Sequence, residues 1–143
     1  MREIVPLLTL ARDAGIPGDK WSRDPQRNGD AQIAVMQRDV AELIANGQPL
    51  ALFGDCLFLD LDLSAGNLPP GSRLRAGNAT LEVTPKAHTG CQKFHSRFGE
   101  DALRLVWKPE LQHRNLRGIY LRVVETGEVK RGDPVQVLSR GRL

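Results

Sequence analysis

The stretch Arg73-Leu-Arg-Ala-Gly-Asn-Ala-Thr-Leu-Glu-Val83 predicts a β-hairpin, and it decides the class of fold. Apolar and polar residues alternate on both sides of Gly77-Asn78, as they do along strands that bury one face. Glycine and asparagine both tolerate a positive φ angle, which a tight turn between antiparallel strands requires. We therefore predict two antiparallel strands joined at this turn.

The chain on either side of the hairpin shows the same character, with short strand patterns separated by turn residues. Strand patterns lie at residues 33–36, 50–63, 118–124 and 135–138, and helical spacing lies at 4–11, 40–44 and 100–106. Residues 18–29 are polar and rich in turn formers, which predicts an exposed loop. Many short strands with few helices favour a mainly β fold, a mostly antiparallel β-barrel with a few short helices, over a βαβ sheet.

Composition limits the possible functions. The chain has 143 residues, 41% hydrophobic and 26% charged, which suits one folded domain. No apolar run is long enough to cross a bilayer, so we expect a cytoplasmic protein with no membrane partner. Aromatic residues are 5% of the chain and no dense basic tract is present, which argues against a nucleic-acid partner despite the net charge of +3.

The segment from His88 to Gly99 concentrates reactive chemistry around one cysteine. Cys91 is close in sequence to histidine, lysine and arginine, and positive charge favours the thiolate form of a cysteine. A thiolate is a nucleophile, a sulfur carrier and a soft metal ligand. Gly90 permits close approach of a ligand to the backbone, and His88 is a candidate general base or hydrogen-bond partner of the sulfur. The alternatives are a buried structural cysteine and a packed loop histidine.

Four segments, in this order, resemble the MOSC domain, which is named for the C-terminal domain of molybdenum cofactor sulfurase. They are Val83-Thr-Pro-Lys-Ala-His-Thr-Gly-Cys91, Lys93-Phe94 with Arg97-Phe-Gly-Glu-Asp-Ala102, Arg117-Gly-Ile-Tyr-Leu-Arg-Val-Val124, and Gly127-Glu-Val-Lys-Arg-Gly-Asp-Pro-Val135. Where many larger members carry Gly-x-Asn-Leu, this chain has Gly54-Asp-Cys-Leu57, which favours comparison with the short stand-alone members.

The resemblance implies a single domain over residues 1–143, with its core at 50–138 and a barrel of the MOSC or pyruvate-kinase type. It implies that Cys91 is the functional cysteine, which either ligates molybdenum through the molybdenum cofactor (molybdopterin) or carries sulfur as a persulfide. The implied partners are the anionic pterin cofactor and a sulfur donor protein such as a cysteine desulfurase. Pyridoxal phosphate binding is associated with the family as a whole. Whether the chain turns over a substrate stays open.

The cofactor's phosphate group needs positive charge or backbone amides around it. The basic residues that are candidates for this contact are Lys93, Arg97, Arg117 and Arg122. Each of them could equally be an ordinary surface or ion-pair residue.

Several other interpretations of the sequence stay open. The basic side could make the chain a non-catalytic binding module for a phosphorylated ligand or a protein partner, and Cys56 with Cys91 could form a thiol redox pair. His88, Cys91 and His95 resemble part of a zinc site, but a structural zinc site needs a fourth ligand. Asp60 and Asp62 could be paired carboxylates, although the hydrated face of a strand explains them as well.

Overall fold

Short strands build the sheets of this chain, as the sequence predicts. The computed structural model describes residues 7–89 and 92–141. The strands are β1 (Leu7–Leu10), β2 (Ile33–Gln37), β3 (Leu57–Leu59), β4 (Arg73–Ala76), β5 (Ala79–Ala87), β6 (Ile119–Glu125), β7 (Gly127–Lys130) and β8 (Val135–Ser139). The helices are α1 (Lys20–Arg23), α2 (Arg38–Ala45), α3 (Gln92–Phe98) and α4 (Glu100–Trp107), with 3-10 turns at Gly29–Ala31, Leu50–Phe53 and Pro109–Arg114.

Six of these strands form one curled sheet that makes a half-barrel, in the order β3-β2-β6-β5-β4-β8. Neighbouring strands are antiparallel except for β2 and β3, which run parallel. The strands β1 and β7 form a separate antiparallel pair. The mainly β, mostly antiparallel fold with a few short helices is therefore confirmed. No helix in the described part of the chain is long and apolar enough to span a membrane.

Two groups of buried apolar side chains hold this arrangement together. The main core lies against the curled sheet and includes Leu74, Leu81 and Leu121, which are all fully buried. The second, smaller core is built around Met36 and Phe53, where α2, α3 and α4 pack. Each fully buried leucine or phenylalanine stabilises the fold by about 1.5–3 kcal/mol relative to an exposed one. The candidate site described below borders the second core.

Most of the local predictions are confirmed. In the hairpin, Ala76 lies opposite Ala79, and Gly77 has a positive φ angle of 58°, whereas Asn78 does not have a positive φ. The strand at 33–36 is β2, and α2 ends at Asn46 in a left-handed conformation. The predicted helix at 100–106 is α4, and the strands at 118–124 and 135–138 are β6 and β8.

The predicted N-terminal helix over residues 4–11 is wrong. Residues 7–10 form β1, which pairs with β7 so that Leu7 lies opposite Lys130 and Leu10 opposite Gly127. Residues 4–6 lie outside the described residues. Four apolar positions over two turns are too few to separate helical from strand spacing, and pairing with a distant strand decided the outcome.

The predicted strand over residues 50–63 is much shorter than expected. Only Leu57–Leu59 forms a strand, because Leu50–Phe53 is a 3-10 turn that ends at Gly54 with a φ of 75°. Leu59 and Leu63 are buried, Leu57 and Leu61 are partly buried, and Asp60 is exposed and pairs with Arg38 at 2.7 Å. Asp60 and Asp62 are both exposed to water, as one interpretation expected, but they lie beyond β3 and not on a strand face.

Candidate functional site

The site lies where β5 leads toward α3. Strand β5 ends at Ala87, His88 follows it directly, and α3 begins at Gln92. Gly90 and Cys91, the predicted close-approach and thiolate residues, lie outside the described residues, so their assignment stays a prediction. The described part of the site consists of the side chains around His88.

A buried ion pair forms the centre of the described site. Arg117 donates two hydrogen bonds from Nη1 to the carboxylate oxygens of Asp55, at 2.9 and 3.2 Å, and a third from Nη2 to the backbone oxygen of Phe53 at 3.2 Å. The two side chains are only 9% and 1% exposed. The guanidinium lies 5.4 Å from the ring centre of Phe94, so the pair is enclosed by the second core. Removing one partner of such a pair leaves an uncompensated buried charge.

Gly118 lets this pair form directly beside the sheet. Its φ angle is +113°, and a side-chain carbon here would overlap the backbone oxygen of Val35 on β2. Because no Cβ is present, the chain enters β6 in close contact with β2, and the preceding Arg117 lies 4.0 Å from the sulfur of Met36 on β2. Arg117 and Gly118 therefore act together: Gly118 permits the close approach of β6 to β2, and Arg117 pairs with Asp55.

His88 lies next to the ion pair and is neutral. Its side chain is 9% exposed, its ring stacks on Tyr120 with 4.4 Å between the ring centres, and its Nδ1 lies 4.0 Å from Oδ2 of Asp55. Burial, followed by the positive charges of Arg117 and Lys86, lowers the pKa of His88 to about 3. The approach of His88 to Asp55 is therefore not an ion pair at neutral pH.

Two polar atoms in this cluster are buried without a hydrogen-bond partner. They are Nδ1 of His88 and Nε of Arg117. Most buried polar atoms in proteins are paired, so those that are not need an explanation. Both atoms belong to residues that the sequence singled out as functional.

The other predicted basic residues are distributed around the molecule. Arg97 donates from Nη1 to the backbone oxygen of Leu52 at 2.9 Å, which ties α3 to the turn before Asp55. Lys93 is exposed on α3. Arg122 is half exposed and pairs with Glu82 on the neighbouring strand. The structure thus brings Arg117 and His88 together and assigns Arg97 and Arg122 to other contacts.

Arg122 lines an open groove with a volume of about 680 Å3. Trp21 forms part of its wall and carries the guanidinium of Arg27 at 5.2 Å from the ring centre. Asp30 also lines the groove, and its backbone oxygen accepts a hydrogen bond from the hydroxyl of Thr84 on β5 at 2.6 Å. The loop predicted for residues 18–29 thus borders a groove, with only the short α1 as regular structure before residue 29.

Residues 31–136 match the family model of the MOSC domain. The chain belongs to the MOSC domain family. The predicted resemblance, placed at residues 50–138, is therefore confirmed, and the match begins earlier, just before β2. No curated protein matches this MOSC domain significantly.

Solved structures show the same fold. YiiM from Escherichia coli superposes with a TM-score of 0.64 at 22% identity, over 96% of this chain and 64% of that one. YiiM from Geobacillus stearothermophilus gives 0.63 at 17% identity, over 94% and 62%. The YUAD protein from Bacillus subtilis gives 0.62 at 20% identity, over 96% and 87%. This MOSC domain therefore spans less than two thirds of the length of either YiiM chain.

The sequence analysis missed Asp55 and Tyr120. Asp55 stands between the apolar runs 50–53 and 57–59, and an acidic residue that is buried among apolar neighbours needs a cationic partner. That was the available signal, but the sequence does not say that the partner is Arg117. Tyr120 gave no signal beyond its position in a strand pattern.

The structure bears only in part on the zinc-site and two-cysteine hypotheses. Among residues 7–89 and 92–141, no three His, Cys, Asp or Glu side chains cluster as they would around a metal ion. Cys56 is partly buried and packs against the main core. The zinc and two-cysteine hypotheses both require Cys91, which lies outside the described residues, so they stay predictions.

Proposed function

We propose that this MOSC domain binds the molybdenum cofactor, or carries sulfur, through the thiolate of Cys91. The observation that carries the proposal is the buried, neutral His88, which has an unpaired Nδ1 beside the Asp55–Arg117 pair and stands three residues before Cys91 in the sequence. Buried polar atoms without partners lower the stability of a fold. A cluster of them near a cysteine segment is therefore expected at a functional site.

The residues present fit this cofactor. Its molybdenum is held by sulfur atoms of the pterin and accepts one more soft ligand, which a single thiolate supplies. For the anionic part, Lys93 is the favoured contact, because the charges of Arg117 and Arg122 are already paired with Asp55 and Glu82. The bound cofactor would supply the redox chemistry of molybdenum, and the protein would supply the ligand and the enclosed surroundings.

The geometry favours one of the two roles predicted for His88. A group with a pKa of about 3 holds almost no proton at pH 7 and is a weak base. His88 is therefore better suited to be a neutral hydrogen-bonding group at the site than a general base. Burial against Tyr120 holds the ring in one position, which suits such a role.

The sulfur-carrier form of the proposal needs no additional oxidant. The Cys91 thiolate attacks the outer sulfur of a persulfide on a donor protein, a new S–S bond forms at Cys91, and the donor cysteine leaves as a thiolate. The outer sulfur moves between the two cysteines without a net change in the electron count. A cysteine desulfurase is the class of donor that presents such a persulfide.

The test compares Cys91→Ala with Cys56→Ala after purification from a host that makes the cofactor. Bound molybdenum, bound pterin and accepted persulfide sulfur are measured for both variants and for the wild type. We expect Cys91→Ala to lose molybdenum or sulfur and Cys56→Ala to keep them. If Cys91→Ala retains both at the wild-type level, the proposal is overturned, and a binding module that does not use the thiol becomes the better explanation.

A further inference from the structure

The position of His88 restricts which of its two ring nitrogens can carry the proton. A neutral imidazole has one N–H donor and one nitrogen with an exposed lone pair. Nδ1 is fully buried, lacks a hydrogen-bond partner and faces a carboxylate oxygen of Asp55 at 4.0 Å. A lone pair on Nδ1 would face the negative charge of this carboxylate, whereas an N–H would be attracted to it.

The carboxylate itself is fixed in place. Arg117 holds both oxygens of Asp55, and Arg117 is held in turn by the backbone oxygen of Phe53. The imidazole is fixed on its other side by the stacked ring of Tyr120. Neither group can turn away from the other without breaking these contacts, so Oδ2 of Asp55 stays the carboxylate oxygen that faces Nδ1.

We propose that Asp55 is a positioning residue that holds His88 in the Nδ1–H form, so that Nε2 is presented as a hydrogen-bond acceptor. A histidine whose one nitrogen is fixed by a carboxylate offers the other with defined chemistry and direction. A ligand bound beside His88 would then be favoured if it donates a hydrogen bond to Nε2, as an amine or a hydroxyl does. This last step rests on the proposed function, and the assignment of the Nδ1–H form does not.

The direct test is a nitrogen-15 NMR measurement on the imidazole of His88 in the wild-type chain without added cofactor. The Nδ1–H and Nε2–H forms differ in their nitrogen-15 chemical shifts and in the couplings of the two nitrogens to the ring protons. We expect the Nδ1–H form at neutral pH. A dominant Nε2–H form would overturn the proposal, and this measurement requires no variant to fold.

The second test compares Asp55→Asn with Asp60→Asn. Both substitutions remove one carboxylate charge that an arginine pairs with, but Asp60 is exposed and its partner is Arg38. We expect Asp55→Asn to lower the ratio of Nδ1–H to Nε2–H by about tenfold or more and Asp60→Asn to leave it unchanged. Equal ratios in the two variants would contradict the positioning role.

The cofactor measurement separates this inference from the proposed function. If both hold, Asp55→Asn reduces bound molybdenum or accepted sulfur by about tenfold or more, the usual effect of losing a group that orients a site residue. A wild-type Nδ1–H form together with full cofactor retention in Cys91→Ala would overturn the proposed function alone. A wild-type Nε2–H form with cofactor loss in Cys91→Ala would overturn the positioning role alone.

Discussion

Arg117 and Arg122 were predicted to serve the same purpose, and the structure separates them completely. Arg117 lies just before β6, is 9% exposed and pairs with a carboxylate that is 1% exposed. Arg122 lies within β6, is 46% exposed and pairs with Glu82, which also lies 3.6 Å from Arg73. Two arginines on one stretch of chain can thus differ in function because burial, and not residue type, decides what a charge contributes.

The largest loss of stability is expected when Arg117, the buried arginine, is replaced. Arg117→Ala leaves the Asp55 carboxylate enclosed without a counter-charge, which should cost about 3–5 kcal/mol of unfolding free energy. Urea denaturation followed by circular dichroism measures this loss. The double variant Asp55→Leu/Arg117→Met should recover most of it, because apolar pairs of similar size often replace buried ion pairs without loss. A loss below about 1 kcal/mol in Arg117→Ala would mean that the pair is not buried in solution.

The second largest effect is expected at Gly118. In Gly118→Ala the new Cβ overlaps the Val35 oxygen and the residue keeps a φ of +113°, so we expect a loss of about 2–3 kcal/mol. Gly47→Ala is the matched control, since Gly47 has a φ of +91° with open space around it. The control should lose only the conformational part, about 1 kcal/mol. Equal losses in denaturation would show that β6 and β2 do not approach as closely as described.

The third prediction concerns the pH dependence of stability. The pKa of His88 is about 3 when folded and 6.5 ordinarily, so below pH 6.5 only the unfolded chain takes up this proton. Stability from this group is therefore full above pH 6.5 and declines as the pH falls toward 3. Between pH 7.5 and 5 we expect a loss of about 2 kcal/mol. His88→Gln should remove this part of the pH dependence, and the exposed His95→Gln should leave it in place. An identical pH profile for His88→Gln and wild type would contradict the prediction.

The smallest loss of stability is expected when Arg122, the half-exposed arginine, is replaced. Arg122→Ala should lose at most about 1 kcal/mol, because Arg122 is half exposed and Arg73 stays near Glu82 as a second counter-charge. Added salt should reduce even this difference. If Arg122→Ala destabilised the protein as much as Arg117→Ala, the distinction between the two arginines would fail.

The sequence predicted those parts of the fold that local patterns specify. Alternation and turn residues located β4, β5 and the start of β6, and Asn46 marked the end of α2. The prediction failed at β1, because a strand of four residues depends on its partner β7, far away in the sequence. Strand β7 itself was not predicted for the same reason.

The candidate site could be predicted only in part, and for a similar reason. His88 and Arg117 were singled out, and the structure brings them to the same carboxylate. Asp55 was missed, because its ion pair with Arg117 joins two parts of the chain that are distant in sequence. The role of Cys91, on which the functional proposal depends, stays a prediction from its neighbours in the sequence.

The buried pair also constrains how this domain can change over evolutionary time. If Asp55 or Arg117 is replaced alone, an unmatched charge is left inside the protein, and most such intermediates would be eliminated. Substitutions at these two positions are therefore expected to be correlated among relatives, either both retained or both exchanged for uncharged residues. Arg122 is under weaker restraint, because Arg73 also lies near Glu82 and would remain as its counter-charge.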